Sequence, residues 1–294
     1  MSLDWEATVS ELAEDHRSPS SALATRAAEV LSEVASDDPE MLAEAARAVV
    51  QAQPSMAAVA NVANVALRVV ETLGLASVSK ALESLQEGIT ADLRDAAAAI
   101  RERVDAPVRV VTTSASAGVV ETIQVLRRAN LLRGVVCGES RPLLEGTALA
   151  RWFVEQGVET TLVSDAGLCE QLTADSIFLV GADAILPRAV VNKLGTRVYA
   201  TWAQLAGVPR FVVASRDKIF PAELAPRFSN PQRPREELLR DPPAALHVVN
   251  RAFDLTPREI WSEIFVGRHP AAVAEGRGDH ALARGLLQLV SDSA

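Results

Sequence analysis

The chain has 294 residues, of which 49% are hydrophobic and only 4% are aromatic. This length and apolar content fit one large folded domain or two modest ones, and they exclude a disordered chain. The net charge of −9 argues against a nucleic-acid partner, because a general nucleic-acid binder needs a basic surface.

Residues 1 to about 105 have the pattern of an all-α domain. Segments such as SALATRAAEVLSEVA and DPEMLAEAARAVVQA repeat apolar residues at three- and four-residue spacing, which is typical of amphipathic helices. Ser18-Pro19 and Asp38-Pro39 are predicted to supply the N-cap and the first-turn proline of two of these helices. A long helix that ends near Val104 is predicted to lead into the second half of the chain.

After Asp105-Ala106-Pro107 the pattern changes to short β-branched runs that alternate with helical segments. Near-continuous apolar strands separated by helices predict a parallel sheet buried on both faces. We therefore predict an α/β fold, with a helical N-terminal domain over 1–105 and a Rossmann-like ligand-binding domain over 106–294. The predicted strands cover 108–112, 134–138, 158–164, 176–181 and 210–215.

Polar residues follow each predicted strand. Because ligands bind at the carboxyl ends of strands in open α/β sheets, these residues predict a site for an anionic ligand. The alternative is a chance grouping, since loops are polar in any case. The candidate residues in these loops are Thr113, Ser114, Ser116, Glu139, Arg141, Asp183 and Lys218.

The loop after the first strand resembles a phosphate cradle, because small hydroxyl residues lead directly into a helix whose N–H groups attract an anion. It lacks both GxGxxG and GxxxxGK[ST], so it is neither a dinucleotide fingerprint nor a P-loop. A simple serine N-cap explains the same residues equally well.

Asn192 and Lys193 precede another helix and could hold a hydroxylated, phosphorylated ligand. The alternative is a helix capped by Thr196, with Lys193 in solvent. The apolar neighbours of Asp183 should raise its pKa, whereas Lys193 should lower it, and the sequence leaves the balance open.

The two cysteines, Cys137 and Cys169, and the four scattered histidines have no metal-ligand spacing, so we expect no metal and no cofactor. No apolar run approaches the roughly 18 residues of a membrane span. The acidic N-terminus is unlike a signal peptide. We therefore expect no membrane partner and a cytoplasmic protein.

Five motifs carry a resemblance to a known family: VVTTSAS (110–116), ESRPLLEG (139–146), GADAILPRAVVNKLGT (181–196), VPRFVVASRDKIFP (208–221) and VVNRAFDLTPREIWSEI (248–264). The chain resembles the superfamily that unites the alpha, beta and delta subunits of translation initiation factor 2B with 5-methylthioribose-1-phosphate isomerase and ribose-1,5-bisphosphate isomerase. The resemblance implies a helical N-terminal domain, a Rossmann-like C-terminal domain and homodimers built through the latter.

The isomerases of this superfamily use an acid and a base to move a proton between two sugar carbons. The resemblance assigns the acid, an aspartate in a G-A-D motif, to Asp183. The base is a cysteine in a T-H-C motif, which here reads Thr112-Thr113-Ser114, and serine is a poorer base than a thiolate. Arg17 falls in the early arginine motif that implies phosphate binding, whereas Gln53 replaces a second such arginine.

Three functions follow. The first is an initiation factor 2B-like protein that binds a phosphorylated sugar or nucleotide and has a regulatory role. The alternative is an aldose–ketose isomerase that acts on ribose-1,5-bisphosphate or methylthioribose-1-phosphate, with Asp183 and Ser114 as catalytic residues. The third is a scaffold with an inactive pocket. The aromatic-rich tail FDLTPREIWSEIFV is a candidate dimer interface, since such residues are enriched in interfaces, and internal packing is its alternative.

Overall fold

A computed structural model describes residues 4–16, 18–35, 38–267 and 282–291. As predicted, the N-terminal third of the chain is helical. The helices that precede the first strand are α1 (Trp5–Glu14), α2 (Ser20–Val34), α3 (Pro39–Ala52), α4 (Ala57–Leu73) and α5 (Val78–Arg101). Asp38 caps α3 and Pro39 is its first residue, as expected. In contrast, α2 begins one residue later than predicted, with Pro19 at the N-cap and Ser20 as the first helical residue.

The second part of the chain is built on a parallel sheet of six strands, which confirms the predicted α/β fold class. The strands of this sheet are β1 (Val108–Thr112), β2 (Leu132–Gly138), β3 (Thr160–Val163), β4 (Ser176–Val180), β7 (Arg210–Ala214) and β9 (Glu263–Val266). Their order across the sheet is β3-β2-β1-β4-β7-β9, with helices α6 (Ala117–Arg128), α7 (Glu145–Glu155) and α8 (Thr196–Leu205) in the connections.

The sixth strand, β9, lies in the aromatic-rich tail that was a candidate interface. Most of the bulky rings of that tail pack inside the chain: Trp261 stacks on Phe178 with ring centroids 6.1 Å apart, and Phe265 meets Phe211 edge-on at 5.7 Å. The internal-packing alternative therefore explains these aromatic residues. The homodimer itself stays a prediction.

A second, antiparallel sheet was not predicted. It consists of β5 (Ala184–Ile185), β6 (Ala189–Lys193) and β8 (Phe253–Pro257), with β6 in the centre. Asp254 on β8 accepts hydrogen bonds from the backbone N–H of Gly195 (2.9 Å) and Arg197 (3.1 Å), and so caps α8. The cap by Thr196, which was the alternative interpretation, is not formed, because a strand some 60 residues further along the chain supplies the carboxylate.

The helical half does not close its core alone. Its buried cluster includes Ala184, Val191, Phe253 and Leu286 from the second half. Leu286 belongs to α9 (Arg284–Ser291), which packs on α3 and α4. The boundary near residue 105 follows the change from helices to strands, and the division into domains stays a prediction. Within the described residues, no helix is both long and apolar enough to cross a membrane.

Two polar contacts at the carboxyl end of the sheet tie the two halves together. Asp92 on α5 accepts hydrogen bonds from both the backbone N–H and the Nε of Arg216, each 3.0 Å long. Asn61 on α4 donates to the backbone carbonyl oxygens of Asp217 and Ile219, each at 2.7 Å. These bonds hold the loop that follows β7 against the helices.

The start of α7 packs tightly against the end of β2. A Cβ added to Gly146 would lie 1.8 Å from the carbonyl oxygen of Gly138, so only glycine fits at this position. Leu144, the N-cap residue just before α7, has a φ of 62°, which turns the chain sharply into the helix. Glu145, the first residue of α7, is therefore held in one place by the backbone on both sides.

We predict that Gly146→Ala destabilises the protein by about 1–3 kcal/mol, because the added methyl group must displace backbone rather than a side chain. The matched control is Gly88→Ala on α5, where an added Cβ meets nothing within 4 Å. Alanine there should stabilise the helix by about 0.5–1 kcal/mol. Urea unfolding of both variants measures the difference, and equal stabilities would contradict the close contact.

Candidate functional site

One cavity of about 260 Å³ lies where the carboxyl ends of the parallel strands meet the N-terminal helices. The structure brings most of the sequence-predicted site residues to its wall. Asp183 and Ser114 line the same cavity, as the topology predicts. The predicted residues that line it are Ser114, Ser116, Asp183, Asn192, Lys193 and Lys218.

Asp183 lies between β4 and β5, at the point where the chain passes from the large sheet to the small one. Its carboxyl accepts a hydrogen bond from the hydroxyl of Ser20 at the start of α2. Burial raises the pKa of Asp183, and the opposing charges of Lys218 and Lys193 do not cancel the rise. The balance left open by the sequence is thus decided by burial.

Lys218 is linked to the carboxyl of Asp183 through the hydroxyl of Ser20. Its Nζ donates to the hydroxyl of Ser20 at 2.7 Å and lies 3.5 Å from a carboxylate oxygen of the buried Asp217. Asn61 holds the backbone on either side of Lys218 through the carbonyl groups described above. A chain of polar contacts therefore runs from Lys218 through Ser20 to Asp183.

Lys193 is buried and is not in solvent as the alternative interpretation had it. Its Nζ lies 2.7 Å from Oε1 of Glu145, with which it forms an ion pair. The second oxygen of that carboxylate, Oε2, is buried and has no hydrogen-bond partner. Asn192, also buried, donates from Nδ2 to the hydroxyl of Thr196 at 3.1 Å.

The loop between β1 and α6 presents the start of a helix to the cavity. Ser114 has a φ of 64°, and its N–H donates to Oγ of Ser140 at 2.7 Å. The side chain of Ser116, at the N-cap, makes no capping hydrogen bond, so the simple-cap interpretation is not realised. A Cβ on Gly181 would lie 2.3 Å from Oγ of Ser116, so this loop and the one that carries Asp183 touch.

Three predicted residues lie outside the cavity wall, and Arg17 lies outside the described residues. Thr113 is buried beside Ser140, with 3.3 Å between their hydroxyl oxygens. Arg141 is exposed, and its guanidinium donates to the carbonyl of Leu238 at 3.3 Å. Glu139 also does not reach the cavity. The physical reason is Asp165, which accepts hydrogen bonds from the N–H of Ser140 (2.8 Å) and of Arg141 (2.7 Å) and so fixes the loop after β2 away from the cavity.

Neither Cys137 nor Gln53 serves this site. Cys137 lies within β2, and its side chain belongs to the buried apolar core between the parallel sheet and its helices. Burial there raises the pKa of its thiol to about 12. Gln53 is buried and donates from Nε2 to the carbonyl groups of Leu12 (2.6 Å) and Asp15 (3.1 Å). It thus ties the end of α1 to α3.

Several residues at the cavity were not among the predicted site residues: His16, Ser20, Glu145, Asp217 and Arg233. Arg233 comes from the long segment after β7 and contacts Nδ1 of His16, and burial lowers its pKa. No local pattern marks it. The sequence does contain a signal for Asn61, because a polar residue on the buried face of an apolar helix indicates a specific hydrogen-bonding role. Among the described residues, no group of three or more His, Cys, Asp or Glu side chains is placed to hold a metal ion.

Comparison with known proteins matches this fold and these motifs to one family. The model of the initiation factor 2 subunit family matches residues 16–266. The chain belongs to the initiation factor 2 subunit family. Its match to a methylthioribose-1-phosphate isomerase of Desulforudis audaxviator is 30% identical over 218 residues, 66% of this chain and 62% of the relative. The corresponding enzyme of Heliobacterium modesticaldum is 34% identical over 158 residues, 50% of this chain and 45% of that protein. The chain thus spans less than two thirds of the length of these relatives.

Solved structures of the same family share the fold. A translation initiation factor eIF-2B of Pyrococcus horikoshii OT3 superposes with a TM-score of 0.76 at 25% identity, covering 90% of this chain and 95% of that one. The 5-methylthioribose 1-phosphate isomerase of the same organism gives a TM-score of 0.68 at 20% identity, covering 89% and 82%. The fold therefore fits both branches of the family.

We predict that Asp183→Asn changes the pH dependence of stability. The folded-state pKa of Asp183 is raised, so its contribution to stability falls as pH increases from about 4 towards the raised value, and stays low above it. Asparagine mimics the neutral carboxyl. The variant should therefore become more stable than the wild type as pH rises to neutrality. Urea unfolding of both proteins over a series of pH values measures the difference in their free energies of unfolding. A difference that does not change with pH would contradict the raised pKa of Asp183.

Proposed function

We propose that this protein interconverts a phosphorylated aldopentose and its ketose, in the manner of the methylthioribose-1-phosphate isomerases. The observation that carries the proposal is Asp183, a carboxyl at the cavity whose pKa burial raises. A carboxyl that stays protonated nearer neutral pH can act as a general acid. Opening the ring of a sugar phosphate needs such an acid at the ring oxygen.

The charges around Asp183 support an anionic ligand. Lys193, Lys218 and Arg233 line the cavity, and the N-terminus of α6 faces it through residues 114–118. Backbone N–H groups at a helix N-terminus attract a phosphate, and the buried ammonium groups add to that attraction. The small volume of the cavity suits a single small molecule rather than a polymer.

A second candidate function is ligand binding without turnover, as the regulatory interpretation of the sequence has it. The observation that favours it is Ser114 at the position of the catalytic cysteine, while Cys137 is buried in the core. The similarity to the eIF-2B structure fits this function as well as the first. Both candidates share the class of ligand and the cavity.

A combined binding and turnover experiment distinguishes the two candidate functions. The protein is mixed with ribose-1,5-bisphosphate and, separately, with methylthioribose-1-phosphate. A ligand present at 100 times its dissociation constant should raise the free energy of unfolding by about 2.7 kcal/mol, which thermal unfolding detects. Ketose formation is followed by nuclear magnetic resonance. Turnover supports the isomerase, whereas binding without turnover supports the second candidate.

Two variants test the assigned roles. Asp183→Asn should abolish turnover, because an amide cannot donate the proton, yet the variant should still bind the ligand. Lys193→Ala should weaken binding of every phosphorylated ligand, since it removes a buried positive charge from the cavity. Unchanged affinity in Lys193→Ala would show that the ligand binds elsewhere.

We also propose that the chain forms a homodimer through its C-terminal half. Apolar side chains that are 50% to 79% exposed recur every three or four residues along and just before α8, so they form one stripe. The outer edge of β8, next to α8, is unpaired within the described residues. Exposed apolar stripes of this kind mark protein–protein contacts. The residues are Leu194, Val198, Trp202 and Leu205.

Light scattering at micromolar concentration should give the mass of a dimer. Trp202→Glu should shift it to the monomer, because the change places a charge within the stripe. Leu73→Glu is the matched control, since Leu73 is 70% exposed at the end of α4 in the helical half. A monomeric wild type, or a dimer that survives Trp202→Glu, would refute this interface.

A further inference from the structure

We propose that Glu145 is the base that removes the sugar C2 proton in this protein, a role for which Ser114 is unsuited. The proposal rests on the isomerase function above. Its starting point is the unpartnered Oε2 of Glu145, a buried carboxylate oxygen beside the cavity. A buried acceptor without a partner costs free energy, which a ligand that supplies a proton or a hydroxyl group would recover.

The carboxylate is held firmly in one orientation. Oε1 is engaged by Nζ of the buried Lys193 at 2.7 Å, which leaves Oε2 as the reactive oxygen. The backbone beside it is closely packed, because Gly146 lies against the carbonyl of Gly138. A base held in this way loses little orientational freedom when the substrate arrives.

Ser114 lacks what a serine needs to act as a base. A hydroxyl accepts a carbon-bound proton poorly unless a neighbouring group removes its own proton. The histidine at the cavity, His16, is in contact with Arg233 through Nδ1. The backbone N–H of Ser114 is committed to Ser140, which fixes the loop without activating the hydroxyl.

Asp183 and Glu145 form a pair of carboxyl groups with different environments. Burial is the main cause of the raised pKa of Asp183, and the negative charge of Glu145 adds to it. Glu145 has the ammonium of Lys193 as its direct partner. Two carboxyl groups in one site with different environments divide into an acid and a base.

The proton transfers balance without an oxidant. Asp183 donates its proton to the ring oxygen as the bond from that oxygen to C1 breaks. Oε2 of Glu145 takes the C2 proton, and the electrons of that C–H bond form a C1=C2 double bond. The ionised Asp183 then takes the proton of the 2-hydroxyl as C2=O forms, while the double bond recovers a proton from Glu145 at C1. Both carboxyl groups return to their starting states.

The test uses Glu145→Gln, which keeps the shape and the acceptor for Lys193 but cannot take a proton. We expect kcat to fall by about 10²–10⁴-fold, the usual contribution of a general base, while the ligand dissociation constant stays within a few-fold. Exchange of the C2 hydrogen with deuterium from solvent should be lost in parallel. Glu145→Asp should retain measurable exchange, and it replaces Glu145→Gln if that variant fails to fold. The matched control is Glu155→Gln, an exposed residue at the other end of α7, which should leave kcat unchanged.

Other outcomes overturn the proposal in distinguishable ways. If Glu145→Gln keeps its kcat and deuterium exchange while Ser114→Ala loses both, Ser114 is the base and the isomerase function stands. If the wild type binds the sugar phosphates but neither turns them over nor exchanges the C2 hydrogen, the isomerase function and the base assignment both fall.

Discussion

The site depends on charged side chains of the second half of the chain, which pair with one another where the N-terminal helices cover the sheet. Lys193 pairs with Glu145 at 2.7 Å, and Lys218 reaches Asp183 through Ser20. Taking such groups out of water is costly unless each finds a partner, and removing one partner leaves the other charge buried. Ser20 on α2 links the N-terminal helices to Lys218 and Asp183, so the site occupies the place where the two halves of the chain meet.

The closely packed backbone around this cavity positions the charged side chains. Gly146 lets α7 begin directly against the end of β2, which places Glu145 at the cavity, and Gly181 lets the loop of Asp183 touch Ser116. Asn61 fixes the loop of Lys218 from the helical side. Each contact is a backbone approach or a bond to a backbone carbonyl, so the positions of the reactive side chains are determined before any ligand arrives.

The thiol of Cys137 and the hydroxyl of Ser114 show that a residue's chemistry depends on its location. Cys137 carries the more reactive group, but it points into the apolar core, where burial suppresses the thiolate. Ser114 lies at the cavity, but within the described ranges its hydroxyl is hydrogen-bonded to no group that could act as a base. A carboxylate on the adjacent helix offers the chemistry that neither of them can supply at this site.

The sequence by itself determined the N-terminal helices, five strands of the parallel sheet and the edge of that sheet at which the site lies, but not β9 or the antiparallel sheet. Apolar runs and helical periodicity are local signals, and the rule that loops at the carboxyl ends of parallel strands share one edge places Asp183, Ser114 and Lys218 together. Only the tertiary structure decided that Arg141 turns outward, that Asp254 caps α8, and that Glu145 and Arg233 reach the cavity. The physical reason is that these placements depend on partners 24 to 217 positions away along the chain, such as Asp165 for Arg141 and His16 for Arg233, and no local pattern encodes such a partner.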